Sequence, residues 1–534
     1  MDKKEARALK RIEKSKLNTT VGLVSNIIIG ILSFIERTIF NQFFIEDYLG
    51  LYSFNYNIIG ILTFLELGLS TSISYALYAP LEKGDKDQIN AIMCFFRKAY
   101  FLIGTVTLVA GLSLLPFFPK LLSTSVDMHY VRIYFLLFFL GNTSTYFLNY
   151  KNIIFNANQE QYKITMITNI SWAVLYCLEI IIAITTQNFL FYSSAILITV
   201  LIRNMIYAIL AKKDYPYIGK KTRTKIPEDT RKHIIKNTKG LIITRLGITL
   251  VSSTDSLLIS AMVGTAILGK YSNYQMISSG LLTIAILLPQ SITASLGNAG
   301  VTETKRSMCK GFDVLDLSSF FIYATLSILL INVYNPIVSA FFGSSRVLGF
   351  STIILICINF YLQSMRELIL SYKTSLGLYW EDRKRPIIEG LTNLITSIVL
   401  GKIMGLNGII LGTIITGICV NLVIEPRIIL HNGLSRSAFW FYLSTILRFI
   451  LVAFIAAITL FINSKIKISE SITARLTLGT FSIGLGNLIE IVIYGAISLF
   501  FTAIIFYAVF RRTESVKTII KTLKLLVKNK RMHN

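Results

Sequence analysis

The chain has 534 residues, of which 53% are hydrophobic and 15% are charged, whereas a soluble globular domain has roughly 25% charged residues. It carries 53 Lys and Arg against 28 Asp and Glu, a formal charge of +25. This composition excludes a soluble globular protein and predicts a membrane protein.

Apolar stretches of about 20 residues, the length that spans a bilayer as an α-helix, recur along the chain. Six of them precede a basic interruption, near 18–45, 51–79, 99–118, 129–149, 165–186 and 189–211. Eight follow it, near 237–262, 268–298, 316–340, 348–371, 387–405, 408–426, 439–463 and 484–510. The sequence therefore predicts an all-α polytopic membrane protein with about fourteen transmembrane helices.

The excess of basic residues follows the predicted topology and does not indicate nucleic-acid binding. If the N-terminus is cytoplasmic, the inner segments carry 40 of the Lys and Arg residues and the outer loops carry seven. This asymmetry obeys the positive-inside rule. We therefore expect a multi-pass protein of the plasma membrane with both termini in the cytoplasm.

A sequence repeat relates the two halves of the chain. The pentapeptide Leu49-Gly50-Leu51-Tyr52-Ser53 returns as Leu268-Gly269-Lys270-Tyr271-Ser272, a shift of 219 residues that also places Glu36 on Asp255. Repeats are sought before fold because they indicate duplicated units. Six helices in each copy is an even number, so the two lobes are predicted to be parallel, with the substrate between them.

The repeat and the loops together define the predicted organisation. It comprises a basic cytoplasmic N-terminus (1–16), an N-lobe of helices 1–6 (17–211), a basic linker (212–236), a C-lobe of helices 7–12 (237–426), two further helices (427–510) and a basic tail (511–534). The tail alternates apolar and Lys positions at helical spacing, which is typical of an amphipathic interfacial helix. It is expected to anchor on anionic lipid or, alternatively, to bind a partner.

Five charged residues lie well inside predicted spans: Glu36, Arg37, Glu66, Asp255 and Arg245. Each costs roughly 2.5–3.5 kcal/mol at mid-helix on insertion scales. In the functional interpretation, Arg37 and Arg245 bind an anionic head group, while an acid couples transport to protons or sodium. Alternatively, an ion pair such as Glu36 with Arg245 only holds helices together. Nearer the predicted cytoplasmic ends, Arg203, Arg366 and Arg448 are expected to extend toward the membrane surface.

The eighth predicted helix carries a second polar group, formed by Asn273, Gln275, Pro289 and Gln290. A proline beside amide side chains can bend a helix and free a carbonyl toward a polar cavity. We therefore consider the amides as substrate contacts and Pro289 as a hinge, although a purely structural kink fits equally well.

Enzyme chemistry is not indicated. The segment from Gly264 to Lys270 spells G-x-x-x-x-G-K, but Tyr271 replaces the Ser or Thr that binds magnesium, and no strand precedes it. The four His residues are scattered, so neither a metal site nor a catalytic triad is visible. No catalytic residue, cofactor or metal is predicted.

Several motifs resemble those of bacterial polysaccharide and oligosaccharide flippases. They are Tyr48-Leu49-Gly50-Leu51-Tyr52, Leu65-Glu66-Leu67-Gly68-Leu69, Thr254-Asp255-Ser256, Tyr271-Ser272-Asn273-Tyr274 and Leu296-Gly297-Asn298. These flippases belong to a superfamily that also holds multidrug and toxin extruders and peptidoglycan-precursor flippases. The resemblance spans both lobes.

The resemblance implies transfer of a polyprenyl-diphosphate-linked oligosaccharide from the inner to the outer leaflet, for capsule or cell-surface polysaccharide assembly. A polysaccharide polymerase and glycosyltransferases are then expected partners, beside membrane lipid. Arg37 and Arg245 fit as diphosphate or acidic-sugar contacts. Two alternatives stay open: a multidrug cation extruder, which should favour acids in its cavity, and a non-transporting scaffold of a polysaccharide-assembly complex.

Overall fold

The structure, a computed structural model, describes residues 3–220, 224–286, 289, 304–466, 475–478 and 481–521. Within these residues, eleven helices are long and apolar enough to cross a membrane. The all-α polytopic class is confirmed. Contacts divide the chain into two compact units, Met1–Gly269 and Lys270–Asn534, which are described separately. The lobe boundaries expected at the basic linker stay a prediction.

The first unit consists of helices joined by short loops. They are α1 (Lys3–Phe43), α2 (Glu46–Leu62), α3 (Phe64–Lys83), α4 (Lys86–Leu114), α5 (Phe118–Leu121), α6 (Met128–Leu148), α7 (Ile153–Ala157), α8 (Gln161–Thr185), α9 (Phe189–Asp214), α10 (Glu228–Met262) and the start of α11 (Thr265–Ala285), with 3₁₀ turns at Leu115–Phe117 and Tyr150–Asn152.

Several elements differ from the hydropathy windows, among them the predicted span 51–79 and helix α4. The predicted span 51–79 is two helices, because Thr63 leaves helical geometry at φ −92° and ψ 0° and separates α2 from α3. Helix α4 begins at Lys86, well before the predicted window 99–118. Its first turns carry charged residues, which hydropathy windows exclude although they are compatible with a helix at the membrane surface.

The helix ends repeat at the same shift as the sequence. Helix α1 ends at Phe43 and α10 ends at Met262, while α2 begins at Glu46 and α11 begins at Thr265. Each pair is 219 residues apart. Glu36 and Asp255 therefore both lie seven residues before a helix end. The structure thus supports the duplication independently of residue identity.

The repeated glycines meet at a helix crossing within the first unit. A Cβ at Gly50 would overlap the backbone carbonyl of Thr265, and a Cβ at Gly269 would overlap that of Glu46. These contacts are related to each other by the 219-residue shift. Only glycine permits backbones to approach so closely, so the most recognisable motif of the repeat marks the contact between its two copies.

Asp47 forms a hydrogen-bonded node beside this crossing. It is 8% exposed and accepts hydrogen bonds from the hydroxyl of Thr265, the hydroxyl of Thr124 (2.9 Å) and the hydroxyl of Ser125 (3.0 Å). Burial alone would raise its pKa, but these hydrogen bonds outweigh burial and lower the pKa below the usual 3.8. The node joins α2, α11 and the loop after α5.

We expect Asp47→Asn to lower stability at neutral pH, because hydrogen bonds to a charged group contribute about 1.5–3 kcal/mol. A carboxyl group whose pKa is lower in the folded than in the unfolded protein stabilises the fold at any pH above its unfolded pKa. That contribution is lost as the pH falls through the folded pKa. The gap in apparent unfolding midpoint between wild type and variant should therefore be constant from pH 7 to about pH 4 and then close. The exposed Asp87→Asn is the control. A gap that does not change with pH would contradict the assignment.

The second unit also consists mainly of helices. They are the remainder of α11, α12 (Lys305–Ile337), α13 (Phe350–Leu376), α14 (Arg385–Met404), α15 (Leu406–Thr416), α16 (Val423–Ile428), α17 (Phe439–Ser464) and α18 (Leu485–Phe510). A 3₁₀ turn occupies Ser344–Arg346, and π-helical turns occupy Val338–Phe342, Gly417–Leu422 and Ile429–Gly433.

A short hairpin and a helical tail complete this unit. Antiparallel strands β1 (Arg475–Leu478) and β2 (Phe481–Gly484) pair between α17 and α18, where only a loop was expected. Residues 514–521 of the tail are helical, with Val516 packed on the core and Lys517 and Lys521 exposed. The rest of the predicted amphipathic helix lies outside the described residues, and its interfacial role stays a prediction.

The surface and the interior have the polarity expected in lipid. Large apolar side chains face outward, as at Ile209 (68% exposed) and Ile403 (73%), whereas Asn204 and Asn273 are fully buried. Lipid is as apolar as the side chains that contact it, so burial of apolar surface does not drive helix association there and polar groups join helices instead. The interior polar groups are therefore the place to look for a functional site.

Candidate functional site

A buried carboxyl cluster lies near the end of α1. Glu36 is 7% exposed and accepts a hydrogen bond from the hydroxyl of Tyr192 on α9. Glu179 on α8 is 3% exposed and interacts electrostatically with Glu36 and with Tyr192. These side chains meet because α8 packs against both α1 and α9.

Arg37 adds one cation to this cluster. It follows Glu36 on α1, about 100° around the helix, and its guanidinium carbon lies 5.9 Å from the ring centroid of Tyr52 on α2. Its charge acts on both Glu36 and Glu179. One guanidinium is thus shared by two carboxyl groups. If both acids are ionised, the excess negative charge can be neutralised by a proton, a sodium ion or a cationic group.

The other predicted coupling acids have different surroundings. Glu66 on α3 accepts a hydrogen bond from the hydroxyl of Tyr100 on α4. Asp255 is partly buried on α10, between the buried Thr254 and Ser256. Of the predicted site residues, the structure therefore brings Glu36 and Arg37 into one cluster, while Glu66 has its own partner.

The remaining predicted residues are described unevenly. Asn273 is fully buried and Gln275 half-buried, both on α11. Pro289 is buried and has helical backbone. Arg245 lies on α10, but its side chain and the whole of Gln290 lie outside the described residues. The roles of these residues, including the Pro289 hinge, stay predictions.

The second unit contains an ion network that sequence reasoning missed. Its members are three cations and three carboxylates, Arg366, Lys373, Arg385, Asp382, Glu389 and Glu425. Arg366 donates to Glu389 (2.9 Å) and, through two nitrogens, to Glu425 (2.8 and 2.9 Å). The formal charges cancel, which is the condition for burying so many ions together.

Arg385 and Lys373 supply the other two cations of the network. The Nε of Arg385 lies 2.7 Å from Asp382 and 3.0 Å from Glu425, and Arg385 also contacts Glu389. The Nζ of Lys373 lies 2.6 Å from Asp382. The network joins α13, α14 and α16 and therefore holds them as one body.

The expectation that Arg366 and Arg448 extend toward the membrane surface is wrong. Arg366 is held by the network, and Arg448 forms a 2.5 Å ion pair with the buried Asp316. Arg203 instead lies over the ring of Trp172, at 5.6 Å. Acid partners on other helices hold the guanidinium groups of Arg366 and Arg448 within the protein.

Glu179 and Glu389 could have been found from sequence by the argument that identified Glu36. Both are acids inside apolar spans, where an unpaired charge is costly. The pairing itself could not have been found, because the partners of Arg366 and Arg448 lie 23, 59 and 132 residues away. No local spacing indicates such contacts.

The chain has a multi-pass all-α fold with charged groups buried among its helices, an architecture that is found among membrane transporters. Solved structures of that class have the same fold. A structure described as the lipid II flippase MurJ in an inward closed conformation aligns with a TM-score of 0.66 and 15% identity over 92% of this chain and 99% of that one. An inward-facing multidrug resistance MATE family transporter of the MOP superfamily aligns with a TM-score of 0.60 and 13% identity, over 78% of this chain and 98% of that one.

A third similar structure, a MOP superfamily transporter from Pyrococcus furiosus whose binding pocket is described as having reverse polarity, aligns at a TM-score of 0.51 and 13% identity, over 80% of this chain and 97% of that one. At these identities the likeness shows the fold alone. A search of curated proteins finds no significant match.

The family is shown by sequence. The family described as polysaccharide biosynthesis protein matches residues 15–294, more than half of the chain. The chain belongs to this family.

Proposed function

We propose that this chain moves a polyprenyl-diphosphate-linked oligosaccharide from the inner to the outer leaflet of the bacterial plasma membrane by alternating access, for capsule or cell-surface polysaccharide biosynthesis. The observation that carries the proposal is membership of the polysaccharide biosynthesis family in a chain that has a flippase-like fold over 92% of its length. Both termini would be cytoplasmic. Glycosyltransferases would supply the substrate, and a polymerase would consume it.

In this proposal Arg37 and Arg245 contact the diphosphate or acidic sugars. A guanidinium suits this role because it donates two parallel hydrogen bonds to a phosphate. Glu36, Glu66 and Asp255 would couple transport to protons or sodium. Asn273, Gln275 and Gln290 would hydrogen-bond sugar hydroxyls, and Pro289 would be the hinge.

Glu179 favours a second candidate, the extrusion of organic cations. The cluster on α1 holds two carboxyl groups and one guanidinium, and acids rather than arginines suit a cationic substrate. The two candidates make opposite demands on this cluster. A flippase needs Arg37, whereas an extruder needs Glu36 and Glu179. A scaffold would need neither.

We expect Arg37→Ala to reduce flipping at least tenfold, because a hydrogen bond to a charged group contributes about 1.5–3 kcal/mol. Purified protein would be reconstituted in liposomes with polyprenyl-diphosphate-linked chitobiose, and exposure of the sugar would be followed with an impermeant glycosyltransferase. The exposed Arg132→Ala is the matched control and should retain full activity.

The same variants would be tested for dye efflux from a drug-sensitive bacterial host. Efflux that is lost in Glu36→Gln and Glu179→Gln, together with absent flipping in wild type, would establish the extruder instead. Normal surface polysaccharide from every variant of the cluster in the native host, together with dye efflux that no variant changes, would leave only the scaffold.

A further inference from the structure

A polar cavity lies at one end of the second unit, between α12, α17 and α18. Its volume is about 630 Å³, and three of its asparagines, Asn332, Asn463 and Asn487, come one from each helix. Ligand cavities commonly have volumes of this order. The predicted topology places this end of the helices at the outer face of the membrane. None of its lining residues belongs to the α1 cluster or to the ion network.

The amide groups are held in place by one another. The Nδ2 of Asn463 donates to the Oδ1 of Asn332 (2.7 Å), and the Nδ2 of Asn332 donates to the hydroxyl of Thr459 (2.9 Å). The Nδ2 of Asn487 donates to the hydroxyl of Ser339 (3.0 Å). These bonds fix the orientation of the polar groups that line the cavity, as a specific binding site requires.

One acceptor in the cavity wall lacks a partner among the described residues. Asn463 is 4% exposed, and its Oδ1 accepts no hydrogen bond there. A buried polar atom left unpaired costs roughly 1–3 kcal/mol. The oxygen itself has almost no accessible surface, so a ligand in the cavity would reach it only after the Asn463 side chain turns.

The charge of the lining indicates the chemistry of the ligand. None of the described residues that line the cavity is Lys or Arg, and Glu490 supplies a buried carboxyl group. Phosphate recognition uses cationic donors, so this lining disfavours a diphosphate. Amides, hydroxyls and a carboxyl group instead suit a ligand rich in hydroxyl or amino donors. The exposed rings of Phe350 and Phe461 add flat apolar surfaces.

We propose that this cavity binds a saccharide, either uncharged or amine-bearing. Resting on the proposed function, the ligand is the glycan of the lipid-linked substrate, held at the outer end of the unit while cationic groups elsewhere hold the diphosphate. Sugar and phosphate are then recognised at different places in the chain.

Binding would be measured by saturation-transfer difference NMR on the full chain in phosphatidylcholine nanodiscs, after purification in a detergent without a sugar head group. The probes are maltose, chitobiose and N,N′-diacetylchitobiose, together with dodecyl maltoside as a membrane-linked sugar. We expect saturable binding of at least one probe, at least tenfold weaker in Asn487→Leu and Asn463→Leu and unchanged in Asn432→Leu, an exposed control. Sodium pyrophosphate should not compete.

Binding of free disaccharides supports recognition of the sugar alone, and binding of dodecyl maltoside only supports a lipid-linked source. Ser464→Trp, at an exposed position of the lining, fills the cavity without breaking the amide network and serves if an Asn variant unfolds. Absence of all binding, binding unchanged in the cavity variants, or displacement by pyrophosphate would overturn the proposal. No transport is measured, so failure of flipping in the Arg37 assay leaves this result unaffected, and the reverse also holds.

Discussion

Replacing Glu425 by Leu should destabilise the protein more than almost any other single substitution. The side chain is 1% exposed, accepts two hydrogen bonds from Arg366 and lies 3.0 Å from Arg385 and 3.6 Å from Lys373. Its loss leaves three cations against two carboxylates in a buried network. Breaking a buried ion pair from one side costs about 3–5 kcal/mol. The apparent unfolding midpoint, followed by fluorescence-detected size exclusion, would report the effect.

The exposed Glu381→Ala is the matched control, because it removes an acid from the neighbouring loop and should change stability by less than about 0.5 kcal/mol. The double variant Arg366→Met/Glu425→Leu restores charge balance. Since apolar residues often replace a buried ion pair without loss, we expect the double variant to recover most of the stability. A double variant as unstable as Glu425→Leu would show that charge imbalance is not the cause.

Gly50→Ala should produce the second large effect, although it adds only one methyl group. That methyl would overlap the carbonyl of Thr265, which belongs to the backbone and cannot rotate away. Overpacking of this kind costs about 1–3 kcal/mol. Gly269→Ala should behave alike, because its methyl would overlap the carbonyl of Glu46.

Gly30→Ala on α1 is the control for helix propensity. Nothing lies within 4 Å of its added methyl, and Ala is favoured over Gly in a helix by about 1 kcal/mol. This variant should be as stable as wild type or more so. Equal unfolding midpoints for Gly50→Ala and Gly30→Ala would contradict the close crossing of α2 and α11.

The sequence predicts the helices better than their interruptions. Lipid requires long apolar segments, so hydropathy alone indicates the spans and the all-α class. The break at Thr63 is marked neither by a proline nor by a fall in hydropathy, so it could not be predicted. The hairpin β1–β2 likewise lies in a predicted loop.

The candidate site could be predicted only in part for a similar reason. The insertion cost of a charge identifies Glu36 and Arg37 as residues that need polar or oppositely charged partners. The insertion cost does not indicate which helices supply those partners. Tyr192 and Glu179 are contributed by α9 and α8, more than a hundred residues further along the chain, so only the fold shows that they share one cluster.

The matched helix ends allow the two copies of the repeat to be compared position by position. At the shift of 219 residues, Glu36 corresponds to Asp255, whereas Arg37 corresponds to Ser256. Both copies therefore carry an acid at the equivalent place, whereas the next residue is a cation in one copy and a serine in the other. Exchanging Arg37 and Ser256 would move the cation to the other copy without altering composition. Any activity lost on this exchange would show what the difference between the two copies contributes to function.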